Sequence, residues 1–261
     1  PPAVHVVARP GLIDRDALII ETGGEPGRWS PWAVQLRGGS PGGFPSVARG
    51  AAGVQDEGSQ LVVLALTAAT LDGPDRRWLD LAAGPGGKAA LLGALAAQRD
   101  ATLDAVEVAP HRADLVRSAT RDLPVTVHTA DGRDPGLEPG GFDRVLLDAP
   151  CTGLGALRRR PEARWRRTEA DVAPLVALQR ELLASAARLV RPGGVVGYVT
   201  CSPHLAETAG VIARRPRQLE PIDARAFLPD LPDLGPGPTV QLWPHRHGTD
   251  GMFLALLRRE R

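Results

Sequence analysis

The sequence predicts an α/β fold: a mostly parallel sheet with helices on both faces, closed by an antiparallel hairpin and preceded by a small α+β unit. Three observations carry this. From Trp78 onward, short apolar runs alternate with longer helical stretches, the rhythm of parallel strands joined by crossover helices. The runs in FDRVLLD and GVVGYVT are apolar almost throughout, as strands buried in a sheet are. The strand at Trp78 to Leu81 enters a Gly-rich turn and then a helix, and sheets of this kind bind ligands beyond the carboxyl ends of their strands.

Residues 1 to about 50 read as a small unit of their own. A strand spans His5 to Ala8, a helix follows around Ile13 to Glu21, and a second strand lies near Ala33 to Leu36. Gly38 to Gly53 is dense in Gly and Pro and reads as a linker, so the boundaries fall at 1–53 for this unit and 54–261 for the main domain. The first unit has no catalytic constellation and reads as a lid or packing module. Asp56-Glu57-Gly58-Ser59-Gln60 offers N-cap candidates for a helix over the apolar run Leu61 to Leu71. Then come strand Trp78–Leu81, helix Lys88–Gln98, strand Thr102–Val106 and helix Pro110–Arg121 with proline in its first turn. Strands Val125–His128 and Phe142–Leu147, a long helix Asp171–Val190 and strand Val195–Thr200 continue the alternation. Leu228 to Pro238 is a Pro-rich connection. Val240–Trp243 and Met252–Leu257, on either side of a His, Gly and Asp turn, read as the closing hairpin.

Bulk composition narrows the function classes. A chain of 261 residues holds one large domain plus an appendage, and its 30 Gly and 25 Pro are dispersed among apolar runs, which means many turns rather than low complexity. The net charge of +1 gives no global signal for nucleic acid, so any basic footprint is local. No run of about 18 apolar residues spans a bilayer and no signal peptide is present, so a soluble, cytoplasmic, monomeric protein is expected. The chain opens on Pro1-Pro2 without a Met and reads as a fragment with something upstream.

Candidate functional residues gather at strand ends. The turn Ala82-Ala83-Gly84-Pro85-Gly86-Gly87-Lys88 lets backbone amides approach a ligand at a helix N-terminus, a feature shared by dinucleotide and methionine-derived cofactors, and it lacks the spaced G-x-G-x-x-G of the former. Lys88 is the one lysine in a chain that otherwise writes Arg, which suggests that a compact ammonium is wanted there. Glu107 closes the second strand, where an acid accepts from ribose hydroxyls, with Arg112 in the helix that follows; Asp131, after the third, is placed to reach an adenine amino group. The only two cysteines, Cys151 and Cys201, each stand where a buried strand gives way to a loop, and Asp148 precedes the first by three residues. Two thiols so placed read as chemistry rather than packing, about 5 Å or a small multiple apart if their strands are neighbours. Arg158, Arg159, Arg160, Arg164, Arg166 and Arg167 surround Trp165 after Cys151, a patch suited to gripping RNA phosphates while the ring stacks; each arginine alone also reads as an ordinary solvated side chain. His204 reads as a helix-start residue, and His245 and His247 lack the companions of a metal site, so no metal is expected.

The segments QDEGSQLV, LDLAAGPGGK, DGR, FDRVLLDAPCTGLGALRRRPEARWRR, RPGGVVGYVTCSP and LWPHRHGTDGMF together resemble the RNA cytosine-5 methyltransferase family of the Sun and nucleolar-protein type, in particular the bacterial RsmB-like ribosomal RNA enzymes. The resemblance is good over residues 54 to 261 and weak over 1 to 50. It implies a class I S-adenosylmethionine-dependent methyltransferase fold with a seven-stranded sheet, the Cys151 and Cys201 strands side by side, and an RNA-recognition-like N-terminal subdomain. It implies methyl transfer to C5 of a cytosine in RNA, on 16S ribosomal RNA, with Cys201 as the nucleophile and Cys151 assisting release. Related DNA enzymes use the thiol of the Pro-Cys pair, so Cys151 stays a rival nucleophile. Ala82 to Lys88, Glu107, Asp131 and Asp148 match cofactor positions, and Asp148 also faces the cytosine. Relatives often carry Cys at Ala82 and Glu-Asn at Glu207-Thr208, departures that touch packing and substrate positioning. A small-molecule methyltransferase and a non-catalytic RNA-binding assembly factor remain the other readings.

Overall fold

The computed structural model describes residues 2–261. Its first part runs β1 (Val4–Ala8), α1 (Arg15–Thr22), β2 (Glu25–Pro26), β3 (Ala33–Leu36), α2 (Pro45–Ala48) and β4 (Ala52–Val54). These strands make an antiparallel sheet in the order β2-β3-β1-β4. Val6 and Ala8, alternate residues of β1, pack with Leu18 of α1 and with Val34, Leu36 and Ala52 into a small core. The segment Gly38–Gly53, expected to be a linker, is built structure instead. Glu21 accepts from the Ser46 amide at 2.8 Å and from the Ser46 hydroxyl, which anchors α2, and β4 then pairs with the open edge of β1. Its Gly and Pro residues mark the turns, but a three-residue strand leaves too short a pattern to read.

The main domain continues with α3 (Glu57–Ala68), β5 (Arg77–Asp80), α4 (Gly87–Ala97), β6 (Thr102–Glu107), α5 (Pro110–Ala119), β7 (Val125–Thr129) and β8 (Phe142–Asp148). It ends with α6 (Ala163–Arg166), α7 (Val172–Leu189), β9 (Val190–Thr200), α8 (Ala209–Ile212), β10 (Leu219–Ile222), β11 (Val240–Gln241), α9 (Pro244–His247) and β12 (Phe253–Arg259). The sheet order is β10-β12-β9-β8-β5-β6-β7, with β11 paired to β12. Strands β7, β6, β5, β8 and β9 are mutually parallel, while β12 is antiparallel to β9. One correction applies to the closing hairpin. The β11–β12 pairing exists over two residue pairs only, and the sheet's edge beyond β12 is β10, which sequence patterning passed over. Pro221 within Leu219–Ile222 argues against a central strand, and an edge strand tolerates it.

Burial follows the pleat. Trp78 and Leu146 face the side covered by α3 and α4, and Leu79, Val145 and Leu147 face α7, so one strand feeds two cores. The chain order turns back at β5, which has β6 on one side and β8 on the other, and this opens a crevice at the carboxyl ends. No helix among the described residues is long and apolar enough to cross a membrane.

Inside β8 sits a buried cation. Arg144 grips Asp75 through Nε at 2.8 Å and Nη2 at 2.9 Å, and its Nη1 donates to the carbonyls of Leu66 and Ala69, the open end of α3. Replacing Asp75 by Ala leaves that guanidinium buried without its counter-charge. Urea unfolding of Asp75→Ala is expected to show a loss of about 3 kcal/mol, with the alkylation rates of Cys151 and Cys201 unchanged.

Candidate active site

Five strand ends surround the crevice. Parallel pairing of β8 with β9 runs to Asp148↔Val199, and the Ala149 amide still donates to Val199 O at 2.9 Å. Beyond that register the two chains leave the sheet together, and the Sγ atoms of Cys151 and Cys201 lie 3.4 Å apart. The sulfurs are thus closer than the strand spacing of about 5 Å expected from sequence, because the two loops converge after they leave the sheet. Gly155 straps the Cys151 loop down, since its amide donates to Cys201 O at 2.9 Å while its carbonyl accepts from Gly251 N at 2.8 Å. A Cβ at Gly155 would stand 2.0 Å from Gly251 O, so only glycine fits that crossing.

The thiols are electrostatically unlike. The hydrogen bond with Cys151 lowers the pKa of Cys201, burial and the charge of Asp148 oppose this, and the Lys88 cation adds to the lowering. The same bond raises Cys151 well above the ordinary thiol range, and burial pushes it the same way. The two shifts are opposite in direction, and the Lys88 cation, which bears on Cys201, favours the thiolate there. Lys88 reaches Asp148 at 2.7 Å; burial works against its charge, but Asp148 outweighs burial, so its pKa is raised and it stays an ammonium. Lys88, Asp148, Cys151 and Cys201, four residues from three loops, converge here.

The cofactor-side residues split by environment. Glu107 is buried and accepts from the Gly84 amide at 3.1 Å and the Ala109 amide at 2.9 Å, while Arg112 braces the turn by donating to Gly84 O at 2.6 Å. A Cβ on Gly84 would meet Glu107 Oε2 at 2.0 Å, which is why the turn can come so close to the acid. Above Gly87 the space is open, and the first-turn amides of α4 have no partner within the helix. Asp131 is exposed and engaged by its neighbour Arg133, whose Nη2 lies 2.6 Å from Oδ2. Ala82, Ala83, Pro85 and Gly86 shape the turn and bring no side-chain chemistry of their own.

The arginine patch also divides. Arg158 and Arg159 each bridge Asp56 and Asp250, at 3.0 and 2.7 Å for the first and 2.6 and 3.1 Å for the second, so they clamp the loop to the start of α3 rather than standing free. Arg160, Arg164, Arg166 and Arg167 are exposed, with no side-chain hydrogen bond or ion pair among the described residues, and Trp165 is 83% exposed beside them. His204 caps a short turn by accepting from the Ala206 amide. His247 is buried, bonded to the Trp243 amide and Pro232 O. No group of His, Cys, Asp and Glu that could hold a metal ion occurs among the described residues.

Comparison with known proteins bears on what this crevice is. A profile described as 16S rRNA methyltransferase RsmB/F matches residues 68–258. The chain belongs to this RsmB/F methyltransferase family. It is 60% identical to "Putative methyltransferase Rv1407" of Mycobacterium tuberculosis, over 99% of this chain and 57% of that protein. It is 31% identical to "Probable ribosomal RNA small subunit methyltransferase B" of Bacillus subtilis, over 87% and 52% respectively. The chain therefore spans about half the length of these curated relatives. The crystal structure of NSun6 from Pyrococcus horikoshii with SFG superposes with a TM-score of 0.72 at 25% identity, covering 88% of this chain and 60% of that one. The fold is that of S-adenosylmethionine-dependent methyltransferases, as the strand order and parallel sheet predict.

Two residues of this RsmB/F domain were missed at the sequence level. Asp80, at the end of β5, is wholly buried, and its Oδ2 has no hydrogen-bond partner. Burial and the nearby Asp148 push its pKa up to about 7. An unpartnered buried oxygen beneath a Gly-rich turn is what a polar cofactor group resting on that turn would meet, so the residues present fit such a ligand. Glu207, wholly buried behind the thiol loops, is the second. The signal for Asp80 was an acid closing the strand before the turn; Glu207 had a lone Glu in Leu-Ala-Glu-Thr-Ala and the resemblance to a Glu-Asn pair, neither of which gave it a role.

Two outcomes follow. Lys88→Met removes a cation that favours the Cys201 thiolate, so the iodoacetamide rate of Cys201 at pH 7 is expected to fall several-fold and its pH midpoint to rise. An acid held at about 7 when folded but about 4 when unfolded binds more protons in the native state, so its penalty is absent below about pH 4, grows up to about pH 7 and is constant above. Asp80→Asn should flatten that fall, raising stability at pH 7 relative to pH 4 by several kcal/mol, on the order of 3, in denaturant titrations.

Proposed function

We propose that this chain carries the catalytic domain of an S-adenosylmethionine-dependent RNA methyltransferase that modifies C5 of a cytosine, in 16S ribosomal RNA, through a covalent bond from Cys201 to C6. The sulfur pair at 3.4 Å, beside the Lys88–Asp148 ion pair, carries this reading. C5 of cytosine is a weak nucleophile until a thiolate adds at C6 and breaks the ring's conjugation. Cys201, the thiol whose pKa is lowered by its bond to Cys151 and by the Lys88 cation, makes that bond, and the Lys88–Asp148 pair holds the proton that N3 takes up as electrons leave the C5–C6 bond.

S-adenosylmethionine supplies an electrophilic methyl group at a sulfonium. Residues Ala82 to Lys88 would hold it by backbone amides, with Glu107 offering its carboxylate to ribose hydroxyls and Asp131 facing the base. Release requires removal of the C5 proton. Cys151 is a poor base while its partner is an anion, because that anion is what raises its pKa. Once Cys201 is bonded to carbon its charge is gone, so Cys151 gives up its own proton to solvent more readily and, as a thiolate, takes the one from C5. The pair thus orders its own steps: one thiolate before attack, the other after. Arg160, Arg164, Arg166 and Arg167, with Trp165, would contact RNA backbone and a base beside a site that must receive an extruded cytosine.

Incubation with cofactor and 16S RNA, followed by a denaturing gel, tests this. Cys201→Ala should lose both methylation and the protein–RNA adduct. Cys151→Ala should form the adduct and accumulate it, with turnover reduced by about 10²- to 10⁴-fold. The reverse assignment would make Cys151 the nucleophile, and methylation indifferent to both thiols would sink the covalent route.

A further inference from the structure

Glu207 stands outside the four converging residues, yet its carboxylate meets both thiol loops at once. Oε1 accepts from the Thr152 amide at 2.8 Å and from Gln179 Nε2 at 3.2 Å, and Oε2 accepts from the Thr152 and Ser202 hydroxyls, each at 2.6 Å. Thr152 and Ser202 are the residues immediately after Cys151 and Cys201. Because strand pairing has ended by then, the sulfur separation depends on what ties the two loops together: the Gly155 amide on Cys201 O, and this carboxylate. Gln179 also donates to Pro150 O at 2.8 Å, so the peptides on both sides of Cys151 are held from one buried place.

The anchor is itself immobile. Glu207 O accepts from the Tyr198 hydroxyl at 2.7 Å, and the Glu207 amide donates to His204 O at 2.9 Å. Ser202 Oγ receives the His204 amide at 3.1 Å, so its lone pairs are partly engaged and its proton is directed to Glu207. In Glu207→Gln, Oε1 keeps the Thr152 amide, but a nitrogen donor replaces Oε2 and faces two hydroxyls that were donating. The hydroxyls must swing their protons elsewhere and accept from it instead, on a Ser202 Oγ that already receives the His204 amide, so two charge-assisted bonds are exchanged for weaker neutral ones and the tie between the loops loosens with almost no change in volume.

We propose that Glu207 is a positioning residue, holding Cys151 in hydrogen-bond contact with Cys201 and, once its own proton has left to solvent, within reach of the C5 proton. This rests on the covalent methylation reading above. A purely fold-supporting Glu207 would lower unfolding stability and leave the sulfur pair and the turnover step alone.

The test uses the full chain and phenylarsine oxide, which bonds two adjacent thiols through arsenic and releases one water, and needs neither RNA nor cofactor. Wild type should capture one arsenical per chain tightly, with Cys151→Ala and Cys201→Ala as single-thiol references. Glu207→Gln should lose about tenfold or more of that affinity, while its affinity for S-adenosylmethionine stays at wild type. Its kcat on RNA should fall about 10²-fold with KM unchanged, and the adduct should accumulate as in Cys151→Ala. Thr152→Val, which removes one hydroxyl from the network, should move the same readouts less far, and it decides the matter if Glu207→Gln does not fold. Wild-type arsenical capture and kcat in these variants, with or without lost stability, would overturn the proposal. Should wild type methylate no RNA, the functional reading fails, and arsenical capture alone still judges Glu207.

Discussion

The structure depends on one register. Leu147 opposite Tyr198 and Asp148 opposite Val199, in adjacent parallel strands, bring two loops out of the sheet side by side. A parallel neighbour sends both carboxyl ends the same way, so residues 50 apart in sequence arrive at one place. If β8 and β9 were separated by another strand, the same two cysteines would be inert. Everything electrostatic at the site follows from that adjacency: the sulfur contact, the opposed thiol pKa shifts, the nearness of Asp148 to both thiols and that of Lys88 to Cys201.

Around this register, buried ion pairs hold loops that the sheet does not reach. Arg158 and Arg159 bridge Asp56 and Asp250, joining the Cys151 loop to the cap of α3 and to the turn before β12. Glu57, next to that cap, accepts from the Trp29 and Ser30 amides, so the small sheet is tied to the same corner. Such pairs add little net stability against apolar packing, but their directionality selects one loop geometry. A loop at the mouth of an open crevice needs this kind of fixation because it cannot bury much apolar area.

Charge economy explains why the site uses acids and one cation sparingly. Asp80, Glu107 and Asp148 crowd one edge, and Lys88 is the neutralising group within reach of two of them. A compact ammonium places its charge on one Asp148 oxygen at 2.7 Å and stays near Asp80 and Cys201, where a guanidinium would spread the same charge over a wider plane.

What the sequence determined by itself was the alternation and the placement of chemistry at strand ends. Short apolar runs rich in β-branched residues and bounded by turn residues read as buried strands, and Gly84, Gly86, Lys88, Asp148, Cys151 and Cys201 stand next to them in the chain, so their positions were legible from local pattern. The tertiary structure alone decided which arginines are free. Arg158 and Arg160 look alike in sequence, and only the arrival of Asp56 and Asp250 from far along the chain turns the first inward. It also decided the order of strands at the β12 edge, where Pro221 hid a strand, and the role of Glu207. That glutamate has no local signature because its four donors come from three separate segments, and hydrogen bonds between distant segments leave no period in a sequence.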